Sequence, residues 1–265
     1  FVNNLIEVGQ LTSAWLVEEE TNRLATLRLV SFTDGLAEAV EREDAETLRT
    51  LTLGIAINNQ EDAIEIINPE GISLVSLRHQ QNGEREAYQH SKDDATFSKY
   101  KFIQQVLQQE SDNRGNKYSG IVRAPFGDSF YIVGPILNDN NHFIGAALVG
   151  KYIQNLVLDT RENILGQENS FAHVTLYTLQ GEILGTTLLV PTDIGVPISL
   201  AQEIINRQDQ DSYIRTIQVA GIDYREIISP WEIRGGQDIG LIGVSLAETF
   251  LVRPSQVTQV QIFLI

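Results

Sequence analysis

Apolar positions recur at helical spacing over the start of the chain, where Leu5, Val8, Leu11, Trp15, Leu24 and Leu27 fall near one face. This spacing predicts one long helix over residues 1–42, loosened at Asp34-Gly35. Asp44 then offers an N-cap to a second helix carrying Leu48, Leu51 and Ile55, and Asn58-Asn59 stop it. Beyond that the period shortens. Residues 63–68 and 72–78 read as strands joined by the turn Pro69-Glu70-Gly71, and the polar stretch 79–96 reads as a surface loop. A helix is predicted over 97–109, with Tyr100, Ile103, Val106 and Leu107 on one side. Three strands follow to Tyr152, and a connecting helix reaches Leu165. A short helix over 200–207 precedes strands from Asp211 to Leu251, and Pro254 opens a final helix.

The strand pattern occurs twice. Residues 118–136, YSGIVRAPFGDSFYIVGPI, are echoed by 213–231, YIRTIQVAGIDYREIISPW, each with a turn glycine (Gly127, Gly221), an aromatic strand residue (Tyr131, Tyr224) and a proline (Pro135, Pro230). Upstream, 66–75 matches 176–185 around a glycine turn; downstream, 142–150 matches 237–245 through Ile-Gly. Five strands in one order, used twice, predict two copies of one module.

Composition narrows the function. The 265 residues include 19 basic and 35 acidic side chains, a formal net charge of −16, so the surface repels phosphate backbones and nucleic acid is excluded as a partner. Cysteine is absent, which removes thiol catalysis, zinc-thiolate sites and disulfides, and suits an oxidising compartment. No run of apolar residues is long enough to span a membrane. Residues 260–265 are apolar except for Gln261, and together with the long first helix they predict a segment lying between two membrane spans.

Helix, two strands, helix and three strands is the order of a PAS-like module. Two such modules behind one long helix resemble the double Cache family of extracytoplasmic sensor domains, locally through YIVGPILNDNNHFIGAALVG (131–150). The resemblance implies an α+β fold with two PAS-like modules, each built on an antiparallel five-stranded sheet. It divides the chain into an N-terminal helix (1–43), a membrane-distal module (44–165), a membrane-proximal module (166–251) and a C-terminal helix leading to a span (252–265). It further implies a receptor anchored in the membrane at both ends, most simply a sensor histidine kinase. A small molecule of unknown identity would bind in the distal module, and the long helix would pair in a homodimer. A nucleotide cyclase or chemoreceptor output, and a protein-binding or spacer module without a ligand, are the alternative readings.

Family members that bind amino acids or amines carry Arg-x-Trp-Tyr before the third strand and an Asp late in the fifth. Here those places read FSKYKFIQQV and Gly150, with Ser245 in the second module, so an amino-acid receptor is not expected. The expected ligand-binding residues are Tyr100, Tyr118, Arg123, Phe130 and Tyr131. Arg123 and Tyr131, if both point inward, offer a fixed cation and a phenol to a small anionic or carbonyl-bearing ligand. The alternative for Arg123 is the solvent face of a half-buried strand. Tyr213, Arg215, Tyr224 and Trp231 are the analogous positions in the second module.

Catalytic and cofactor motifs fail on inspection. GAALVGK (145–151) has phosphate-loop spacing, but Tyr152 stands where Ser or Thr must hold magnesium. The four histidines (79, 90, 142 and 173) lack metal-ligand spacing, and Asn138-Asp139-Asn140-Asn141 lacks the glycine and closing glutamate of a calcium loop. No catalytic residue, metal or cofactor is expected.

Overall fold

A computed structural model describes residues 2–165, 171–189, 194–206, 212–234 and 236–248. The predicted C-terminal helix after Pro254 lies outside them. The chain divides into two compact units, Glu18–Ile153 and a second formed by Phe1–Val17 with Gln154–Ile265. Among the described residues no helix is long and apolar enough to cross a membrane.

The predicted single helix over 1–42 is two helices. The first, α1 (Val2–Ser31), ends before Gly35, whose φ of 81° no ordinary side chain adopts cheaply, and α2 (Leu36–Glu41) restarts beyond it. On α1 the buried side includes Leu5, Val8, Leu16, Leu24, Leu27 and Val30, while Leu11, expected on that side, is exposed. Asp44 caps α3 (Ala45–Asn59) as expected, accepting the Thr47 N–H at 3.1 Å.

The unit Glu18–Ile153 carries β1 (Ala63–Ile67), β2 (Ser73–His79), β3 (Tyr88–Ser91), β4 (Tyr118–Val122), β5 (Ser129–Leu137) and β6 (Phe143–Tyr152), with α4 at Lys101–Leu107. Its sheet is antiparallel with order β3-β2-β1-β6-β5-β4, so it has six strands where five were expected. The extra strand lies inside the stretch expected to be loop. Its sequence, YQHS, is polar because it is an edge strand held to β2 by backbone bonds and largely exposed. The helix expected over 97–109 is a 3₁₀ turn (Thr96–Lys99) followed by α4, with Tyr100 extended between them.

Cross-strand register assigns the faces. Ala63, Gly150, Tyr131 and Gly120 lie in one row, and Glu65, Leu148, Val133 and Tyr118 in the next on the same face. That face is covered by α4 and the 3₁₀ turn, where Ile103, Val106 and Phe97 join Tyr131 and Val133 in one cluster. The opposite face meets α1, through a bond from the Ser119 hydroxyl to Glu20 and the approach of Leu27 to Gly134. With both faces covered, all five residues of β1 are buried.

After α5 (Ile153–Leu165), the second unit carries β7 (His173–Tyr177), β8 (Ile183–Thr186), α6 (Ile198–Asn206), β9 (Tyr213–Val219), β10 (Ile222–Ile233) and β11 (Gln237–Ala247). Its antiparallel sheet has the order β8-β7-β11-β10-β9. The internal repeat is visible in the backbone: Gly71 and Gly181 turn the first hairpin of each unit at φ 82° and 84°. A Cβ on Gly145 or Gly240 would strike the Ile67 or Tyr177 carbonyl oxygen that closes the same place in each sheet.

Candidate functional site

Strand alternation sends side chains from the core of β1 and β2 onto the α4 face, and two of them are charged. Glu65 is fully buried, and its Oε1 accepts from Arg78 Nε at 2.9 Å and from the Tyr131 hydroxyl at 3.2 Å. Arg78 also donates from Nη2 to Asp94 Oδ2 at 2.8 Å, and its guanidinium lies 3.7 Å from the centre of the Phe126 ring. Phe97 packs edge-on to Tyr131 with ring centres 5.6 Å apart. The result is a cation held between two carboxylates and two aromatic rings, with a phenol at its base.

Burial sets the protonation of these groups. Desolvation pushes the Glu65 carboxyl up to about 7, against the pull of Arg78, Ser76 and Tyr131, and burial likewise holds the Tyr131 phenol well above its usual range. Burial also acts to raise Asp94, but bonds from Arg78 and Thr96 outweigh it and leave its carboxyl below the ordinary value.

The expected residues divide. Tyr118 and Tyr131 share the α4 face, and Tyr100 packs against the same cluster. Phe130, paired with Ile121 and Lys151, is buried on the opposite, α1 face. Arg123 does not join Tyr131. It lies beyond the end of β4, half-exposed, with Nε 3.3 Å from Asp128. Strand parity explains this: Tyr131 pairs with Gly120, so the odd residues of β4 point away from it. Tyr100 reaches Arg123 through the backbone, its hydroxyl donating to the Arg123 carbonyl at 2.6 Å and accepting its N–H at 2.9 Å.

The cation on the Tyr131 face is therefore Arg78, which sequence reasoning did not single out, as it did not single out Glu65. The signal was present: a lone charge in each of two apolar strands, AIEII and SLVSLRH.

The second unit builds a related cluster under α6. Glu226 is fully buried, taking the Tyr177 hydroxyl at 2.6 Å on one oxygen and Arg215 Nε at 2.6 Å on the other. Arg215 also donates to the Ile194 and Gly195 carbonyls, so its guanidinium is occupied by the chain itself. Of the analogous positions, Arg215 belongs to this cluster and Tyr213 packs beside it. Tyr224 lies edge-on to His173, and Trp231 is two places along from Ser229 on the alternate face of β10.

A family model described as the double sensory domain of two-component sensor kinases, dCache_3, matches residues 3–251. The chain belongs to this double Cache family. It is a sensory domain, with the α+β architecture of paired Cache modules. Among solved structures it is similar to the extracellular domain of the putative histidine kinase vpHK1S-Z8 at 14% identity, with a TM-score of 0.62 and 96% of each chain covered. It is also similar to a domain of a putative sensory box/GGDEF family protein from Vibrio parahaemolyticus (12% identity, TM-score 0.62, 93% of this chain and 96% of that one). A third is the ligand-binding domain of the Campylobacter jejuni chemoreceptor Tlp3, solved in complex with 4-methylisoleucine (11% identity, TM-score 0.59, 95% and 92% covered). A search of curated proteins finds no match.

Proposed function

We propose that this double Cache domain is the extracytoplasmic ligand sensor of a transmembrane receptor, most simply a histidine kinase. In this reading a small anionic or carbonyl-bearing molecule binds on the α4 face of the unit Glu18–Ile153, and the domain itself catalyses nothing. Family membership supports the sensor role, and the description of a structural neighbour as an extracellular domain supports the location.

The single observation that carries the ligand assignment is the state of Arg78. It is only partly exposed (16% of its side chain), its bonds leave from Nε and Nη2, and Phe126 stacks on its plane, leaving Nη1 to receive a ligand oxygen. Arg215, its counterpart, is committed to backbone carbonyls and to Glu226, which favours the first unit as the binding module. Tyr118 and Tyr100 would wall the site, with Arg123 and Phe130 outside the first contacts. Gly150 fits this assignment: the Tyr131 ring occupies the space where amine-binding relatives place an Asp.

The reading also takes α1 as the dimer seam. Val2, Ile6 and Val17 are exposed apolar residues, and at about 100° per residue they fall within about 60° of one another around that helix. The test is a thermal-shift screen of the chain against carboxylates, keto acids, sugars and nucleobases. A compound that raises the Tm of the wild type and of Arg215→Gln, but not of Arg78→Gln, supports the assignment. Stabilisation that survives Arg78→Gln overturns it.

A further inference from the structure

The α4 face holds two carboxylates for one guanidinium. Glu65 and Asp94 share Arg78 at 2.9 and 2.8 Å, and Glu65 Oε2, fully buried, has no hydrogen-bond partner. The groups facing Glu65 are Ser76 and Arg78 from β2, Tyr131 from β5, Tyr152 from β6 and, through Arg78, Asp94 from the segment after β3. Among these Arg78 is the cation, and it is shared. A buried anion with one oxygen unpartnered carries a desolvation cost that protonation removes.

We propose that this cluster is a proton-binding site, and that the unit Glu18–Ile153 responds to acidification as a stimulus distinct from its small-molecule ligand. A proton from solvent bonds to Glu65 Oε2, the site loses its excess negative charge, and Arg78 passes from shared pairing toward Asp94. Asp94 is placed to report the change. Its carbonyl accepts the Ser73 N–H at 2.9 Å and its Oδ1 accepts the Thr96 N–H at 2.8 Å, so it links the start of β2 to the 3₁₀ turn that carries Phe97. Glu65 changes charge about neutrality, while Asp94, held below its ordinary value, stays ionised. The Glu226 cluster differs in composition: one carboxylate faces one guanidinium, and each carboxylate oxygen has a donor.

The site is tested without any ligand. The Tm of the wild-type chain, Glu65→Gln and Asp94→Asn is followed from pH 5 to 8, together with deuterium uptake over residues 92–99 corrected for intrinsic exchange. A folded state that keeps a proton the unfolded chain has lost becomes less stable as pH rises. The wild type is therefore expected to lose a few degrees across this window, and Glu65→Gln to lack that component. Asp94→Asn frees Arg78 for Glu65 and moves the midpoint to lower pH by about one unit. Uptake over 92–99 follows the wild-type midpoint. The proposal is overturned if Glu65→Gln retains the wild-type slope, if Asp94→Asn leaves the midpoint in place, or if uptake does not change with pH. Should Glu65→Gln fail to fold, the partly exposed Asp94 variant and the uptake measurement decide it.

Discussion

The ring of Tyr131 lies across Gly150: the two residues are paired between β5 and β6, and a Cβ at position 150 would sit 2.4 Å from a ring carbon. This contact lets the Tyr131 hydroxyl pass over the central strand to Glu65 on β1. Gly150→Ala should displace the ring and break that bond, at a cost of about 1–3 kcal/mol from overpacking. Urea unfolding of the single variant against Gly150→Ala in a Tyr131→Ala background measures it. The cost should largely vanish when the ring is absent.

The second unit makes the same kind of crossing with the partners exchanged. Gly243 on β11 clears the path between Tyr177 on β7 and Glu226 on β10, so the phenol now comes from the first strand and the carboxylate from the fourth. Because Arg215 and Tyr177 are the donors to Glu226, Arg215→Ala leaves a buried carboxylate short of its countercharge. It should destabilise by about 3–5 kcal/mol. Replacing Glu226 with Gln in the same chain should recover part of that loss in chemical denaturation, because the uncompensated charge is gone.

Backbone organisation was legible because it depends on glycines and on period. The echoes 66–75 with 176–185 and 142–150 with 237–245 rest on Gly71, Gly181, Gly145 and Gly240, each placed where a side chain would strain the turn or strike a carbonyl. The third echo misled at one point. Aligning Tyr131 with Tyr224 follows the aromatic character, but Tyr131 pairs with Gly150 and Glu226 pairs with Ser245, the corresponding place on the last strand. The clusters themselves were not legible, because Glu65, Arg78 and Asp94 are separated in sequence: strand register brings Glu65 near Arg78, and Asp94 reaches Arg78 from the segment after β3. β3 was missed because an edge strand needs backbone partners and no apolar alternation.

Tyr100 and Arg123 form a clasp that strand parity alone does not suggest. The Tyr100 hydroxyl bonds both backbone groups of Arg123, which ties the start of α4 to the end of β4 at the rim of the site. Tyr100→Phe should cost about 1 kcal/mol, the usual net worth of such bonds at a half-exposed position. The distinguishing readout is local. Amide exchange at Arg123 should accelerate, while the amides of β5 and β6 keep wild-type protection.

Arg23 sits buried on α1 where the helix crosses the sheet, 2.8 Å from Glu19 and 3.4 Å from Glu61. Glu61 lies just ahead of β1, takes the Tyr88 hydroxyl on its carbonyl at 2.6 Å, and feels the charge of Lys151 on β6. Burial raises its carboxyl above the ordinary value, with Arg23 as the main opposing influence. Removing that cation in Arg23→Ala should raise it further. The folded variant then holds a proton over a wider span than the unfolded chain does, so its stability should fall more steeply with rising pH than that of the wild type. At pH 8 the loss relative to wild type should reach about 3–5 kcal/mol, and it should be smaller at pH 5, because lowering the pH favours the protonated Glu61 that needs no countercharge. Urea unfolding of both proteins at the two pH values checks this. A loss of equal size at both would mean that packing of the Arg23 side chain, and not its charge, holds α1 to the sheet.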